Sequence, residues 1–235
     1  ETVPLPTVIL STHTASGFGD YVMRDMTDEM KAFAAHWKKL NVKFDGICTG
    51  FFASAEQIRF AESFLRDFGG EDTLIVVDPV LGDNGALYGC FSEEYVQAMR
   101  TLCKAARLIT PNHTEAALLA GCSMDTDVNE LLEKLPVENV IITGVRRGEE
   151  IGYCARLDGE YTEIFRPCIP QTLHSTGDVF ASALCGALMN GKTMPRALEV
   201  AAKFCDDCVQ KTVKRGEAHW YSLAFEDVLK EERER

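Results

Sequence analysis

The chain has 235 residues with a hydrophobic fraction of 46% and a charged fraction of 26%, a balance that excludes a disordered protein. Its formal net charge of −12 argues against a nucleic-acid surface, and no apolar run approaches the ~20 residues that a membrane helix needs. Nine cysteines, an odd count in mostly apolar surroundings, are typical of reduced, buried thiols, so we expect a cytoplasmic protein.

The first part of the chain contains two predicted strands and two predicted helices. An apolar run predicts a short buried strand at 7–10, and a second strand covers 44–50. Thr27 is placed to cap the helix that follows it, with acidic residues in the first turn. Ser54 and Gln57 have the spacing of a capping box at the start of the next helix. Strand and helix therefore alternate from the beginning of the sequence.

Two carboxylates follow the next predicted strand. The continuous apolar run at 74–77 is typical of a strand covered on both faces, as in a parallel sheet. Asp78 and Asp83 come after it and straddle a glycine turn, where they could hold Mg²⁺ through water. An Asp and Asn turn that caps its own backbone explains the same residues, so both interpretations stay open here.

A strand-to-helix junction follows the strand predicted at 108–110. Asn112 can cap the helix, and Glu115 stands three residues later, as in a capping box. Capping accounts for both residues by itself. A metal-organising role for Glu115 therefore depends on the motifs that surround it.

The next elements are a strand and a hairpin. An apolar run at 140–144 predicts another strand that ends in glycine. The segments 151–157 and 161–165 are joined across Asp158-Gly159, which is a strong local signal for a β-hairpin.

A helix N-terminus is predicted at His174-Ser175-Thr176-Gly177-Asp178, because a small, apolar, helix-forming run comes directly after it. Unpaired backbone N–H groups at such a terminus bind anions. Asp178 in the first turn could take a proton from a hydroxyl group that attacks phosphorus. It could equally serve only to cap the helix and complement its dipole. A second long helix is predicted at about 195–214.

The order of elements predicts an α/β fold with a doubly wound, mostly parallel sheet, helices on both faces and a β-hairpin before the anion-binding helix. In such a sheet the ligand crevice lies outside the carboxyl ends of the strands. Every motif described above falls at such an end, and this convergence is the main argument for a functional site.

Three motifs in this order and spacing resemble the ribokinase-like superfamily and, within it, the pyridoxal kinases. They are Asp78-Pro79-Val80-Leu81-Gly82-Asp83, Thr110-Pro111-Asn112-x-x-Glu115 and Thr176-Gly177-Asp178. The first two are specific as a pair, whereas the third would be weak alone. The resemblance covers nearly the whole chain and implies one ribokinase-like kinase domain over 1–235.

The resemblance also implies an activity, the ATP-dependent phosphorylation of the 5′-hydroxymethyl group of pyridoxal, pyridoxine or pyridoxamine in vitamin B6 salvage. The implied cofactors are ATP and Mg²⁺, with K⁺ as a candidate monovalent cation, and the implied assembly is a homodimer. The implied roles are Asp178 as general base; Ser175, Thr176 and Gly177 as anion hole; Asp78, Asp83 and Glu115 on Mg²⁺, partly through water; Asn112, Glu115, Thr143, Gly144 and Thr176 on ATP; and His13, Thr14, Phe51 and Asp178 on the substrate.

Three departures from the family pattern affect these expectations. The family's first strand and the substrate loop after it would precede Glu1. Ser175 stands where the family usually has Gly, and a left-handed conformation there would cost a side chain about 1–2 kcal/mol. Phe51 replaces a stacking Tyr, which keeps the ring face and removes a hydroxyl group.

Two alternatives to a pyridoxal kinase remain. Hydroxymethylpyrimidine or hydroxymethylpyrimidine phosphate kinases share the fold and the catalytic Asp. A non-catalytic vitamer- or nucleotide-binding protein is suggested by Ser175, although retention of Asp78, Glu115 and Asp178 argues against it.

Overall fold

The computed structural model of the chain describes residues 1–12, 19–171, 173–216 and 222–233. The strands are β1 (Val8–Leu10), β2 (Met23–Asp25), β3 (Gly46–Thr49), β4 (Leu74–Val77), β5 (Gly82–Asp83), β6 (Ala86–Leu87), β7 (Leu108–Ile109), β8 (Asn139–Arg147), β9 (Glu150–Leu157) and β10 (Glu160–Pro167). The helices are α1 (Thr27–Lys39), α2 (Ala55–Phe68), α3 (Glu93–Cys103), α4 (His113–Ala120), α5 (Val128–Lys134), α6 (Thr176–Met189), α7 (Met194–Arg215) and α8 (Phe225–Arg233).

Six strands form the central sheet in the order β10-β9-β8-β7-β4-β3. The strands β3, β4, β7 and β8 are parallel, and β9 and β10 extend the sheet as an antiparallel hairpin. The hairpin turns at Asp158-Gly159, where both residues have positive φ. The predicted mostly parallel sheet, with a hairpin before the helix that begins at Thr176, is confirmed.

Alternate residues of the central strands divide the core into two halves. In β4, Val77 packs in the half that contains α2 to α5, whereas Val76 packs against α6 to α8. In β7, Ile109 and Leu108 divide in the same way. Successive side chains of a strand point to opposite faces, so an unbroken apolar run is what a sheet covered on both faces requires. The helix layers leave the carboxyl ends of the strands free to form a site.

The strand predicted at 7–10 exists, but the prediction that it is buried is wrong. The strand β1 pairs antiparallel with β2 in a separate two-stranded sheet, and Ile9 is 55% exposed. An apolar run predicts a strand, but it does not distinguish one inside the main sheet from one in a peripheral hairpin. We call this unit, residues 7–12 and 19–25, the β1–β2 hairpin.

The helix starts agree with the sequence in two of three places. Asn112 and Glu115 form a complete capping box at the start of α4. Ser54 caps α2, but the Gln57 side chain reaches the Ala53 N–H rather than that of Ser54. Thr27 is the first residue of α1 rather than its cap, because its N–H and hydroxyl groups both donate to Asp25 Oδ1.

The charged C-terminal segment packs on α7. In α8, Val228 is buried in the same half of the core as Cys205 and Cys208 of α7. Ion pairs join Lys211 to Glu231 and Arg215 to Asp227. Among the described residues, no helix has the length and the apolar character needed to cross a membrane.

Candidate active site

The carboxyl ends of the parallel strands open into a large cavity. Asp78 follows β4, Thr110 follows β7, and Thr143 lies in β8 beside them. All predicted site residues within the described part of the chain line this cavity, namely Phe51, Asp78, Asp83, Asn112, Glu115, Thr143, Gly144, Ser175, Thr176, Gly177 and Asp178. The predicted substrate residues His13 and Thr14 lie outside the described residues.

Two carboxyl groups, those of Asp78 and Glu115, form the buried acidic centre of the cavity. Burial raises the pKa of Asp78 to about 7, and the nearby charge of Asp178 adds to this effect. Burial also raises the pKa of Glu115 to about 8, followed by repulsion from Asp78. Buried carboxyl groups whose pKa values are raised by desolvation and by neighbouring carboxylates are common at functional sites.

Backbone N–H groups hold Glu115 in place. Its Oε1 accepts from Leu81 N at 3.1 Å, and its Oε2 accepts from Asn112 N at 2.8 Å. The Asn112 amide in turn donates to Gly82 O at 2.8 Å. The capping box therefore does more than start α4, because it also ties the loop after β4 to the start of that helix.

Asp83 has a mainly local set of hydrogen bonds. Its oxygens accept from Asn84 N at 2.7 Å and from Asn84 Nδ2 at 3.1 Å, and Asn84 has a φ of 52°. Asp83 and Asn84 therefore form a self-capping turn, as one of the two interpretations of this segment predicts. Among the described residues, no three His, Cys, Asp or Glu side chains lie together as a ready metal-binding group. Any role of Asp83 on a metal ion would therefore involve water or movement.

The start of α6 presents its first turn to the cavity. Thr176, Gly177 and Asp178 are exposed. Ser175 precedes them with φ 65° and ψ 18°, a left-handed conformation, and its side chain makes no capping hydrogen bond. The first N–H groups of a helix have no partner within the helix, so this turn is suited to bind an anion. Ser175 thus adopts the left-handed conformation in which a side chain is expected to be strained.

An aromatic group forms another part of the cavity wall. Phe51 is 38% exposed, and its ring centroid lies 5.8 Å from that of Phe91. The Phe91 ring stacks on Tyr95 with a centroid distance of 3.8 Å. Phe51 thus offers an aromatic face that is supported from behind by two further rings.

A family model with the description phosphomethylpyrimidine kinase matches residues 25–222, well over half of the chain. The chain belongs to the phosphomethylpyrimidine kinase family. Membership makes it a phosphotransferase, and the resemblance to pyridoxal kinases of the ribokinase-like superfamily is confirmed by relatives and solved structures.

Two solved structures and one curated relative illustrate the range within this family. A Bacteroides thetaiotaomicron protein described as a phosphomethylpyrimidine kinase, crystallised with pyridoxal, is 37% identical with a TM-score of 0.89, over 97% of this chain and 84% of that one. Pyridoxal kinase from Lactobacillus plantarum is 32% identical with a TM-score of 0.88, over 96% and 83%. Hydroxymethylpyrimidine/phosphomethylpyrimidine kinase from Bacillus subtilis is 29% identical over 74% of this chain and 67% of its own length. The acceptor named therefore differs among the relatives.

Two residues of this kinase were missed as site residues in the sequence. Thr110 is buried, and its hydroxyl group donates to Asp78 Oδ1 at 3.2 Å. Its place in the Thr110-Pro111-Asn112 motif was a usable signal. Tyr88 lines the cavity, and burial together with the charges of Asp83 and Glu115 raises its pKa to about 12. Nothing in the sequence around Tyr88 indicated this position.

Proposed function

We propose that the chain transfers the γ-phosphoryl group of ATP to the 5′-hydroxymethyl group of pyridoxal, pyridoxine or pyridoxamine, with Asp178 as general base. The observation that carries the proposal is the position of Asp178. It is exposed at the anion-binding start of α6 and close enough to the buried Asp78 for their charges to interact. Pyridoxal in the crystal of the 37% identical Bacteroides protein supports the choice of acceptor.

The proposed reaction moves one proton and one phosphoryl group. Asp178 accepts the proton of the attacking hydroxymethyl group as its oxygen forms a bond to the γ-phosphorus atom. The bond between that phosphorus atom and the bridging oxygen breaks, and ADP leaves. Negative charge on the transferring group is stabilised by the N–H groups of Ser175, Thr176 and Gly177.

The nucleotide side of the site is assigned to the strands and to α4. Asn112 and Thr143 are bridged through their backbones, and Gly144 follows with a φ of 68°. With Glu115 and Thr176, these residues would contact ATP. The channel is open at Gly144, because this residue has no side chain and the space that a Cβ would occupy has no other atom within 4 Å.

The acidic centre fits a divalent cation by the chemistry of its donors. Carboxylate oxygens are the ligands that Mg²⁺ prefers, and Asp78 and Glu115 place such oxygens in the buried part of the cavity. Asp78, Asp83 and Glu115 would hold Mg²⁺, partly through water. When bound, the ion would neutralise charge on the phosphate oxygens. K⁺ as a further cation stays a prediction.

On the acceptor side, Phe51 would stack on the pyridine ring, supported by Phe91. His13 and Thr14 are proposed to contact the same ring. Because Phe51 offers a ring face without a hydroxyl group, recognition of the ring substituents depends on neighbouring residues.

A hydroxymethylpyrimidine or hydroxymethylpyrimidine phosphate kinase is the second candidate. The family match and the Bacillus subtilis relative favour it. The B6 vitamers and hydroxymethylpyrimidine both present a primary hydroxyl group on a small aromatic ring, which the same base could deprotonate, so the site geometry supports either ring. Hydroxymethylpyrimidine phosphate would instead accept the phosphoryl group on its own phosphate group. A non-catalytic binding protein is the third candidate, since the left-handed Ser175 strains the proposed anion hole.

The test measures ATP consumption in Mg²⁺ and K⁺ with pyridoxal, pyridoxine, pyridoxamine or hydroxymethylpyrimidine. We expect turnover with a B6 vitamer and a loss of at least ~10²-fold in Asp178→Asn. Asp28→Asn is the matched control, because Asp28 also lies in the first turn of a helix, but in α1 rather than in α6. An unchanged rate in Asp178→Asn would exclude Asp178 as the base.

The remaining outcomes distinguish the candidates. A higher kcat/KM for the pyrimidine would assign the chain to the second candidate. Tight binding of a vitamer without any nucleotide turnover would favour the binding protein. A homodimer and a cytoplasmic location stay predictions, and light scattering of the purified protein would test the first of them.

A further inference from the structure

Gln57 is a fully buried polar side chain at the start of α2. Its Oε1 accepts from Ala53 N at 2.8 Å, which leaves Nε2 facing three oxygens. These are Thr7 O at 2.9 Å, Thr27 Oγ1 at 3.0 Å and Asp25 Oδ1 at 3.3 Å. A buried amide that satisfies both its donor and its acceptor side in this way fixes the segments it joins.

The segments joined by Gln57 are the two ends of the β1–β2 hairpin. Thr7 precedes β1, Asp25 ends β2, and Thr27 begins α1. Within the described residues, the hydrogen bonds that join the hairpin to residues outside 7–27 have two partners, the Gln57 side chain and the Phe51 carbonyl, which accepts from Thr7 Oγ1 at 2.8 Å. At its own ends, Met26 N donates to Thr7 O, and Thr27 donates to Asp25 Oδ1.

The hairpin is also a wall of the cavity. Val8, Leu10 and Met23 line the cavity together with Phe51. The hairpin belongs to the small two-stranded sheet and gains no strand pairing from the central sheet. Its position relative to Phe51 therefore depends on the few contacts at its base.

We propose that Gln57 is a positioning residue that fixes the β1–β2 hairpin, and through it the acceptor side of the cavity. The consequence for substrate rests on the proposed function, whereas the anchoring of the hairpin does not. Within the part of the chain that the structure describes, Asn112 and Thr143, which are assigned to the nucleotide, share no hydrogen bond with this network. A defect at Gln57 should therefore weaken acceptor binding and leave nucleotide binding unchanged.

The first measurement is amide hydrogen exchange in Gln57→Met, which keeps the length of the side chain and removes its hydrogen bonds. We expect exchange of the β1 and β2 amides to be at least ~10-fold faster than in the wild type, with β4 and β7 unchanged. Gln97→Met is the matched control, because the exposed side chain of Gln97 donates to Glu93 within its own helix and joins no other segment to it. Equal exchange in Gln57→Met and the wild type would overturn the proposal.

Asp25→Ala provides a second variant in case Gln57→Met does not fold. Asp25 is exposed, so its removal leaves the core intact while it deletes a Gln57 partner and the acceptor of Thr27. We expect Asp25→Ala to accelerate exchange of the β1 and β2 amides as well. The double variant of Gln57→Met and Asp25→Ala should exchange little faster than Gln57→Met alone, because both substitutions remove parts of one network. Unchanged exchange in Asp25→Ala, or fully additive effects of the two substitutions, would overturn the network.

The second measurement is binding of pyridoxine and of ATP by calorimetry. Pyridoxine is used because it lacks the aldehyde of pyridoxal, which reacts with lysines. We expect the Kd for pyridoxine to rise ~10-fold in Gln57→Met while the Kd for ATP stays within about 2-fold. An equal loss for both ligands would indicate general destabilisation and overturn the positioning role. If the wild type binds neither pyridoxine nor hydroxymethylpyrimidine, the proposed function fails, and hydrogen exchange still decides whether Gln57 anchors the hairpin.

Discussion

Ser175 is an unusual residue for the conformation it adopts. Among the described residues other than glycine, positive φ angles occur at Asn41, Asn84, Asp158 and Ser175. Asn and Asp tolerate the left-handed region because their short polar side chains bond locally, whereas Ser has no such advantage. The side chain of Ser175 makes no capping hydrogen bond that would offset the strain. The anion-binding turn is therefore held by its surroundings rather than by local preference.

We predict that Ser175→Gly raises the free energy of unfolding by about 0.5–1 kcal/mol, since relief of the left-handed strain exceeds the entropy that glycine adds to the unfolded chain. Urea unfolding measures the change. Ser182→Gly is the control, because Ser182 lies in the middle of the same helix and glycine there should destabilise the protein. A destabilising effect of the same sign in both variants would contradict the strain at Ser175.

At the scale of elements, the positions of the strands along the chain were easier to predict from the sequence than the sheet in which each strand lies. Asn112 and Glu115 carry a local signal, since capping needs only residues three apart; the capping interpretation of Glu115 is confirmed, and its metal-organising role stays a prediction. The burial predicted for the strand at 7–10 and the cap predicted at Thr27 are both wrong, because a partner elsewhere in the chain or next to the residue decides each of them. Asp25 competes for the Thr27 hydroxyl group, and β2 removes β1 from the main sheet. Tyr88 near the carboxylates is likewise a product of tertiary packing alone.

The junctions after β4 and before α4 bring Asp78 and Glu115 together, and this pairing should make the metal-free protein sensitive to pH. The pKa values of both groups are raised in the folded state, to about 7 and about 8, first by burial and then by a neighbouring charge, that of Asp178 on Asp78 and that of Asp78 on Glu115. A raised pKa means that the folded state binds the proton more tightly than the unfolded state. The resulting stabilisation is complete below the ordinary pKa of ~4 and is lost as pH rises through the folded-state values.

We therefore predict that in the presence of a chelator Tm is lower at pH 8.5 than at pH 5.5. Added Mg²⁺ should recover part of the loss at pH 8.5, because a cation compensates the two charges. Asp78→Asn should flatten the dependence on pH by removing one of the two acidic groups. Asp72→Asn, at an exposed turn before β4, should leave it as in the wild type. A Tm that rises from pH 5.5 to 8.5 would contradict the raised pKa values.

At the scale of the whole molecule, the negative net charge of the protein opposes the binding of an anionic nucleotide in the proposed site. The formal net charge is −12, and four of the carboxyl groups counted in it line the cavity, those of Asp78, Asp83, Glu115 and Asp178. The proposed phosphoryl donor is itself an anion, even with Mg²⁺ bound. Binding of that donor thus relies on short-range contacts with N–H groups and a cation, while the long-range field of the protein repels it.

This conflict predicts an unusual dependence on salt. The Debye length falls from about 30 Å at 0.01 M to about 10 Å at 0.1 M ionic strength, so added salt screens the distant carboxylates before it affects contacts within the site. We expect the KM for ATP with Mg²⁺ to fall about 2- to 5-fold over that range, in contrast to the weakening that salt causes where a site attracts its ligand through long-range charge. Steady-state kinetics with tetramethylammonium chloride, at constant K⁺ and Mg²⁺, measure the effect.

The acceptor serves as the internal control for that experiment. Pyridoxine carries little net charge near neutral pH, so its KM should stay constant while that of the nucleotide falls. A KM for ATP that rises with salt would mean that positive groups close to the nucleotide outweigh the net charge of the protein. Arg146, which lines the cavity after Gly144, would then be the first cation to replace, because it is exposed and follows the residues assigned to the nucleotide. The sign of the salt dependence thus decides whether the KM for ATP is governed by the net charge of the whole protein or by positive groups close to the nucleotide.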